Sequence, residues 1–164
     1  MKKLGKWFVA GAVTATAVVL SLPTSAQQAA PQPTLATSYN ALMVYMIDPS
    51  AHEIWSRQYQ TTMSTDDWLR VEQHATNIVA ATTLLAVKGT GQLDGQWMAD
   101  PQWTALAATM RGTAQSLATA AQKKDRAALE KAGDALLDAC EGCHKQFKLA
   151  TPTEGIKHLP KLPF

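Results

Sequence analysis

The chain has 164 residues, of which 46% are hydrophobic and 17% charged, and its formal net charge is +2. Lys2, Lys3 and Lys6 account for that excess, because the rest of the chain has 12 basic side chains against 13 acidic ones. Nucleic-acid binding needs clustered positive charge, so nucleic acid is excluded as an expected partner. The length suits one domain with its own hydrophobic core.

The N-terminus has the pattern of a secretory signal peptide. The three lysines precede an apolar run over residues 7–22 and a small-residue stretch that ends at Ala26. We therefore predict a signal peptide over residues 1–26, cleaved after about Ala26, and a protein exported to the periplasm. No later segment has about 18 consecutive apolar residues, so stable membrane insertion is not expected. Residues 27–33, rich in Pro, Gln and Ala, are predicted to form a flexible leader.

The domain is predicted over residues 34–150 and begins with an amphipathic helix from about residue 35 to 47. Pro49 is expected to kink or end this helix, because proline lacks the backbone donor that an α-helix needs. A second, offset helical piece is predicted over residues 50–60. The apolar face of the first helix consists of Leu35, Tyr39, Leu42, Met43, Met46 and Ile47.

Two further helices are predicted from their starting signals. Ser64 and Asp67 have the spacing of a capping box, which begins a long helix that Gly89 is expected to close. A glycine-punctuated loop follows, and Asp100 with Pro101 predicts the start of the third helix. Their inward faces are Trp68, Val71, Ala75, Ile78, Val79, Thr82 and Leu85, and Trp103, Leu106, Met110, Leu117 and Ala121.

The last helix is predicted to begin after Asp125 and to end before Pro152, with a proline-rich tail over residues 151–164. Its inward stripe is Leu129, Ala132, Leu136, Leu137, Cys140, Cys143 or His144, and Phe147. No stretch alternates as a strand would. Amphipathic helices with short connections predict an all-α, antiparallel four-helix bundle.

Both cysteines of the chain lie in the sequence Cys140-Glu-Gly-Cys143-His144, the attachment pattern of c-type haem. On a helix, cysteines three residues apart lie on one face, so both sulfurs can reach the two vinyl groups of one porphyrin. The next residue directs its imidazole toward the iron. We therefore predict one covalent haem c, with thioether bonds to Cys140 and Cys143 and with His144 as an axial ligand.

Other uses of two cysteines fit this sequence less well. A structural zinc site needs four ligands, and the chain has neither a second cysteine pair nor a closely spaced histidine pair. A thioredoxin-like redox pair would follow a strand. A disulfide between residues three apart within a helix has poor geometry and closes a very short loop.

With Lys145-Gln-Phe147-Lys148 after it, near the end of the last of four helices, this motif resembles that of the cytochrome c-prime family, the class II c-type cytochromes. The resemblance covers about residues 34–150 and implies a four-helix bundle with haem attached near the C-terminal end of the last helix. High-spin members have a five-coordinate iron, whereas low-spin relatives place a first-helix methionine on it.

The family often has Arg-x-x-x-Met in its first helix, and Tyr39-Asn-Ala-Leu-Met43 occupies that stretch here. The resemblance therefore implies Met43 as the distal axial ligand, as in the low-spin relatives, although Tyr39 replaces the arginine. Met46 is the alternative, one turn later and about 60° around a regular helix. His74 is the histidine to consider for ligation by two histidines.

These features lead to two function hypotheses. The first is a periplasmic electron carrier with His/Met ligation and redox proteins as partners, and not an enzyme, because the chain shows no distal His/Arg pair for cleaving an O–O bond. The alternative is a five-coordinate module that binds nitric oxide or carbon monoxide for sensing or scavenging. The resemblance leaves a homodimer through the first two helices open.

Overall fold

The computed structural model describes residues 33–148, and its elements in this range are helical. The predicted signal peptide, nearly all of the leader and the tail with Pro152 lie outside the described residues. Within them, backbone pairing of strand type is limited to one isolated bridge between Thr34 and Lys88. The elements are α1 (Tyr39–Leu42), a π-helical turn (Met43–Ile47), α2 (Asp48–Gln58), α3 (Thr65–Leu84), α4 (Asp94–Met98), α5 (Pro101–Lys123) and α6 (Arg126–Phe147).

Four long helical elements form the bundle, which confirms the predicted fold class. The first helix, composed of α1, the π turn and α2, packs against α3 and α6, while α5 packs against both α3 and α6. Ala75, Ala81 and Ala114 are completely buried, and such small side chains let the helices approach closely. None of the helices in residues 33–148 is long and apolar enough to cross a membrane.

The predicted helix starts are confirmed by their caps. The Ser64 hydroxyl accepts from the backbone N–H of Asp67, whose carboxylate accepts from the N–H of Ser64, so the capping box is complete. Asp100 accepts from the N–H of Gln102, and Asp125 accepts from that of Ala128. Each cap satisfies backbone donors that the first helical turn leaves without a partner.

Pro49 does not end the first helix, which continues to Gln58; the irregularity lies just before the proline, in the π turn. Here the N–H of Asp48 donates to the carbonyl oxygen of Met43, five residues back. Leu42 and Ile47 are both buried, although in a regular α-helix residues five apart are about 140° apart. The wider turn lets both side chains face the core. It also lies directly before Pro49, which has no backbone N–H to donate to the preceding turn.

Two more boundaries differ from the sequence predictions. The first helix begins at Tyr39 rather than near residue 35, and α3 ends at Leu84, so Gly89 does not close it. Gly89 instead lies against the carboxylate of Asp94, where any side chain on residue 89 would collide. The predicted loop contains the short helix α4, and its first residue, Asp94, is buried.

Asp94 ties the start of the first helix to the segment after α3. Its carboxylate accepts from the backbone N–H groups of Tyr39, at 3.0 Å, and Gly91, at 2.8 Å. The hydroxyl of Tyr39 donates to the carbonyl of Val87 at 3.1 Å. Because these partners are about 50 residues apart in sequence, the contacts hold the first helix to the bundle.

We predict that Asp94→Ala lowers the free energy of unfolding by about 2–4 kcal/mol, because two donors lose a charged acceptor. Asp94→Asn keeps one acceptor oxygen and is expected to cost less. Asp100→Ala, which removes an exposed helix cap, is the control and is expected to cost about 1 kcal/mol. Urea unfolding followed by circular dichroism measures all three, and an Asp94→Ala cost no larger than that of Asp100→Ala would contradict this role.

Candidate haem-binding site

The motif lies on α6, within an unbroken α-helix that ends at Phe147. Cys143 is buried, Cys140 is half-buried, and His144 is exposed. Both cysteines are free thiols. The inward stripe therefore includes Cys143 rather than His144, and Leu137, predicted to face inward, is 46% exposed.

An aromatic cluster holds the end of α6 that carries the motif. The ring of Phe147 lies edge-on to Trp103 at a centroid distance of 5.1 Å and to Trp97 at 6.2 Å. Trp103 stacks on Tyr39 at 4.9 Å, and its indole N–H donates to the carbonyl of Leu85 at 2.9 Å. The cluster thus joins α6 to α4, α5 and the first helix. Sequence reasoning missed Trp97. The one sign of its role in the sequence is that it is a large apolar residue within a loop of mostly polar residues.

Three hydrogen bonds fix the first helix against α6. The Arg126 guanidinium donates to the carbonyl of Gln58, the Gln58 amide donates to the carboxylate of Asp134 at 2.9 Å, and the Trp55 indole donates to the carbonyl of Gly133 at 3.1 Å. The end of α2 therefore lies beside the start of α6, and the two helices are antiparallel.

This register places Asp48 beside the motif. Asp48 is seven residues before Trp55, and Cys140 is seven residues after Gly133. Because an α-helix rises about 1.5 Å per residue, the two lie at the same level of the bundle. Sequence reasoning did not identify Asp48, since nothing local links it to a motif about 90 residues later.

The site favours neutral thiols and a neutral imidazole. Burial, then Cys143 and then Asp48 raise the pKa of Cys140 to about 11, and burial also raises the pKa of Cys143. Partial desolvation and then Lys148 lower the pKa of His144, although the residue is exposed overall, while Asp48 opposes this shift. Neutral imidazole is the form that ligates iron.

The π turn changes the relation between the two candidate methionines. Met43 and Met46 are both half-buried and pack against the core. Since the N–H of Asp48 bonds to the carbonyl of Met43, Met43 lies one wide turn before Asp48 and on a similar side of the helix. Met46, two residues before Asp48, lies about half a turn away. The separation of about 60° was predicted for a regular helix, and this stretch is a π turn instead.

The other described histidines are not brought to the motif by these contacts. His74 lies between α3 and α2, with Nδ1 3.3 Å from the Ser50 hydroxyl and Nε2 4.0 Å from the Glu53 carboxylate. His52 is exposed, and its Nδ1 lies 3.4 Å from the Asp48 carboxylate. His158 lies outside the described residues.

The donor set fits haem better than a bare metal ion. Two free thiols on one helix face, followed by an imidazole, match what thioether attachment and axial ligation need. Among residues 33–148, no three His, Cys, Asp or Glu side chains come together to hold a metal ion. A thioredoxin-like arrangement does not fit either, because Cys140 is in the middle of a helix.

We predict that Cys140 alkylates more slowly in the folded, haem-free Cys143→Ala chain than in the same chain unfolded in urea. The reason is that iodoacetamide reacts with the thiolate, and burial, the largest cause of the raised pKa of Cys140, remains when Cys143 is replaced. Mass spectrometry of timed samples measures the rate. Equal rates in the two states would contradict the burial of this thiol.

Because its pKa is raised, the Cys140 thiol makes the stability of the folded chain depend on pH. The protonated thiol contributes fully to the free energy of unfolding below pH 9, and this contribution is lost as the pH rises through about 11, because the thiol of the unfolded chain loses its proton at lower pH. The haem-free Cys140→Ala chain is the control and is expected to lose less stability over this range.

Comparison with known proteins adds the family. A family model described as Cytochrome C′ matches residues 67–148, half of the chain, from the first turn of α3 to the residue after α6. The match includes the motif and leaves out Met43 and Met46. No curated protein and no solved structure is similar enough to count as a match. With a matched family model, a four-helix bundle and the thiol pair and histidine on its last helix, the chain belongs to the cytochrome c′ family of c-type haem proteins.

Proposed function

We propose that this protein is a periplasmic monohaem cytochrome that transfers electrons between redox proteins and is not an enzyme. Cys140 and Cys143 form the thioether bonds, His144 is the proximal ligand, and Met43 is the distal ligand. The signal peptide over residues 1–26 directs its export. A homodimer is compatible with this function, and neither nucleic acid nor membrane insertion has a part in it.

The position of Asp48 is the observation that carries the assignment of Met43. Asp48 lies at the level of Cys140 and acts electrostatically on both Cys140 and His144. Met43 is one wide turn before Asp48, toward the level of His144, because the two helices are antiparallel. These relations support Met43 rather than Met46 as the side chain opposite His144.

Haem supplies a one-electron ferric/ferrous couple. The residues of the chain determine how that couple is used. The Met43 thioether is a weak donor, which favours the ferrous state, and two protein ligands leave no position for a substrate. The aromatic cluster fixes the end of the helix that carries His144, so electron exchange needs little movement of the protein.

The alternative function is a gas-binding module. Met43 packs against the core as an apolar side chain, and this contact does not require coordination. With Met43 as packing alone, the protein would bind nitric oxide or carbon monoxide behind a hydrophobic side chain, for sensing or scavenging. The two functions differ in the axial ligand and therefore in the absorption spectrum.

We expect the Cys140→Ala/Cys143→Ala variant to retain no haem after denaturation, because both thioether bonds are lost. Haem staining of a denaturing gel measures this. Gly142→Ala is the matched control, since its new methyl group would be 3.8 Å from Leu106, an ordinary contact, and both thiols remain. Haem that stays attached to the double variant would refute the anchoring role of the cysteines.

We expect the haem-loaded protein to have a low-spin spectrum with a sulfur-to-ferric-iron band and no response to carbon monoxide. Met43→Ala should become high-spin and respond to the gas, whereas Met46→Ala should resemble the unsubstituted protein. Absorption spectra of both oxidation states, before and after carbon monoxide, measure all three.

The other outcomes decide between the alternatives. An unsubstituted protein that is high-spin and responds to carbon monoxide would replace electron transfer with gas binding. Loss of the low-spin spectrum in Met46→Ala, but not in Met43→Ala, would move the distal ligand to Met46.

A further inference from the structure

Asp48 has no part in the ligand set, yet it is the acidic residue of the first helix that faces the motif. Its side chain is 47% exposed, and its carboxylate lies 3.4 Å from Nδ1 of His52. The N–H of Asp48 closes the π turn by donating to Met43. The backbone bond and the packing of α2 therefore hold the backbone of Asp48 in place.

Helix geometry places Asp48 near the motif. The bonds from Trp55 to Gly133 and from Gln58 to Asp134 place it at the level of Cys140. His144 is four residues after Cys140, about one turn further along α6. A single carboxylate thus lies at the level of a thioether position and about one helical turn from the level of the proximal ligand.

Other charges near the motif act differently. Glu141 is exposed and lies 3.3 Å from the ammonium group of Lys145, which offsets its charge. Lys148 lies one turn after His144, at the end of the same helix, and its positive charge opposes that of Asp48.

We propose that Asp48 sets the reduction potential of the bound haem, because its negative charge stabilises the ferric state over the ferrous state. The inference rests on haem attachment at Cys140 and Cys143, as proposed above, but not on the identity of the distal ligand. Reduction adds one electron to the iron and breaks no bond. The ferric site carries one more positive charge, so a nearby carboxylate favours it.

The test is a spectroelectrochemical titration of the haem-loaded full-length protein and its variants. At a fixed applied potential, Asp48→Asn should raise the ferrous-to-ferric ratio about three- to tenfold, which is about 30–60 mV for a one-electron couple. Asp48→Lys changes the charge by two and should shift the potential in the same direction by about twice as much. Raising the ionic strength should shrink both shifts, because Asp48 is partly exposed.

Asp66→Asn is the matched control, since it removes the same charge from the first turn of α3, on the Gln58 side of the bundle and away from the motif. Its potential should stay at that of the unsubstituted protein. An Asp48→Asn shift no larger than that of Asp66→Asn, or one that does not grow with Asp48→Lys, would overturn the proposal.

The spectra recorded in the same titration separate this inference from the proposed function. A high-spin, gas-responsive protein whose potential still depends on residue 48 would overturn electron transfer through His/Met ligation and support the role of Asp48. A low-spin protein whose potential does not change with residue 48 would support His/Met ligation and overturn the role of Asp48.

Discussion

The close approach of the first and last helices at Gly133 is the constraint on which the rest of the site depends. The Trp55 indole donates to the carbonyl of Gly133 here, and a side chain on residue 133 would collide with the Gln58 amide. Because α2 and α6 rise by about the same amount per residue, this one crossing sets the level of each α2 residue relative to α6. Asp48 lies at the level of Cys140 for that reason.

The π turn determines in which direction the side chains before Asp48 extend from the first helix. Level alone would allow either methionine to approach the motif, since Met43 and Met46 are less than one turn apart. The five-residue bond to Met43 gives the two side chains different directions while Leu42 and Ile47 both stay in the core. The level set by the helix crossing and the direction set by the π turn together determine where Met43 lies relative to His144, about 100 residues later in the sequence.

Local signals explain why much of the structure was predictable from sequence. The caps at Ser64, Asp100 and Asp125 act within one helical turn, and Cys140 to His144 form a contiguous motif. A few neighbouring residues are therefore enough to predict each of these features. The π turn was not predictable, because it is associated with the burial of both Leu42 and Ile47, which only the tertiary structure shows. Gly89 was assigned to a helix end for the same reason: the residue that needs its small size, Asp94, is selected by tertiary packing with the first helix.

The range of these anchoring contacts has a consequence for the order of assembly. The helices α3, α5 and α6 are successive long elements, whereas the first helix is tied to Asp94, Gly133 and Asp134 across 55 to 78 residues. Contacts with such separation require the closure of long loops, which costs chain entropy. The first helix is therefore expected to pack on α3, its neighbour in sequence, before it closes on α6. Until it does, the face of α6 that meets Trp55 and Gln58 stays exposed.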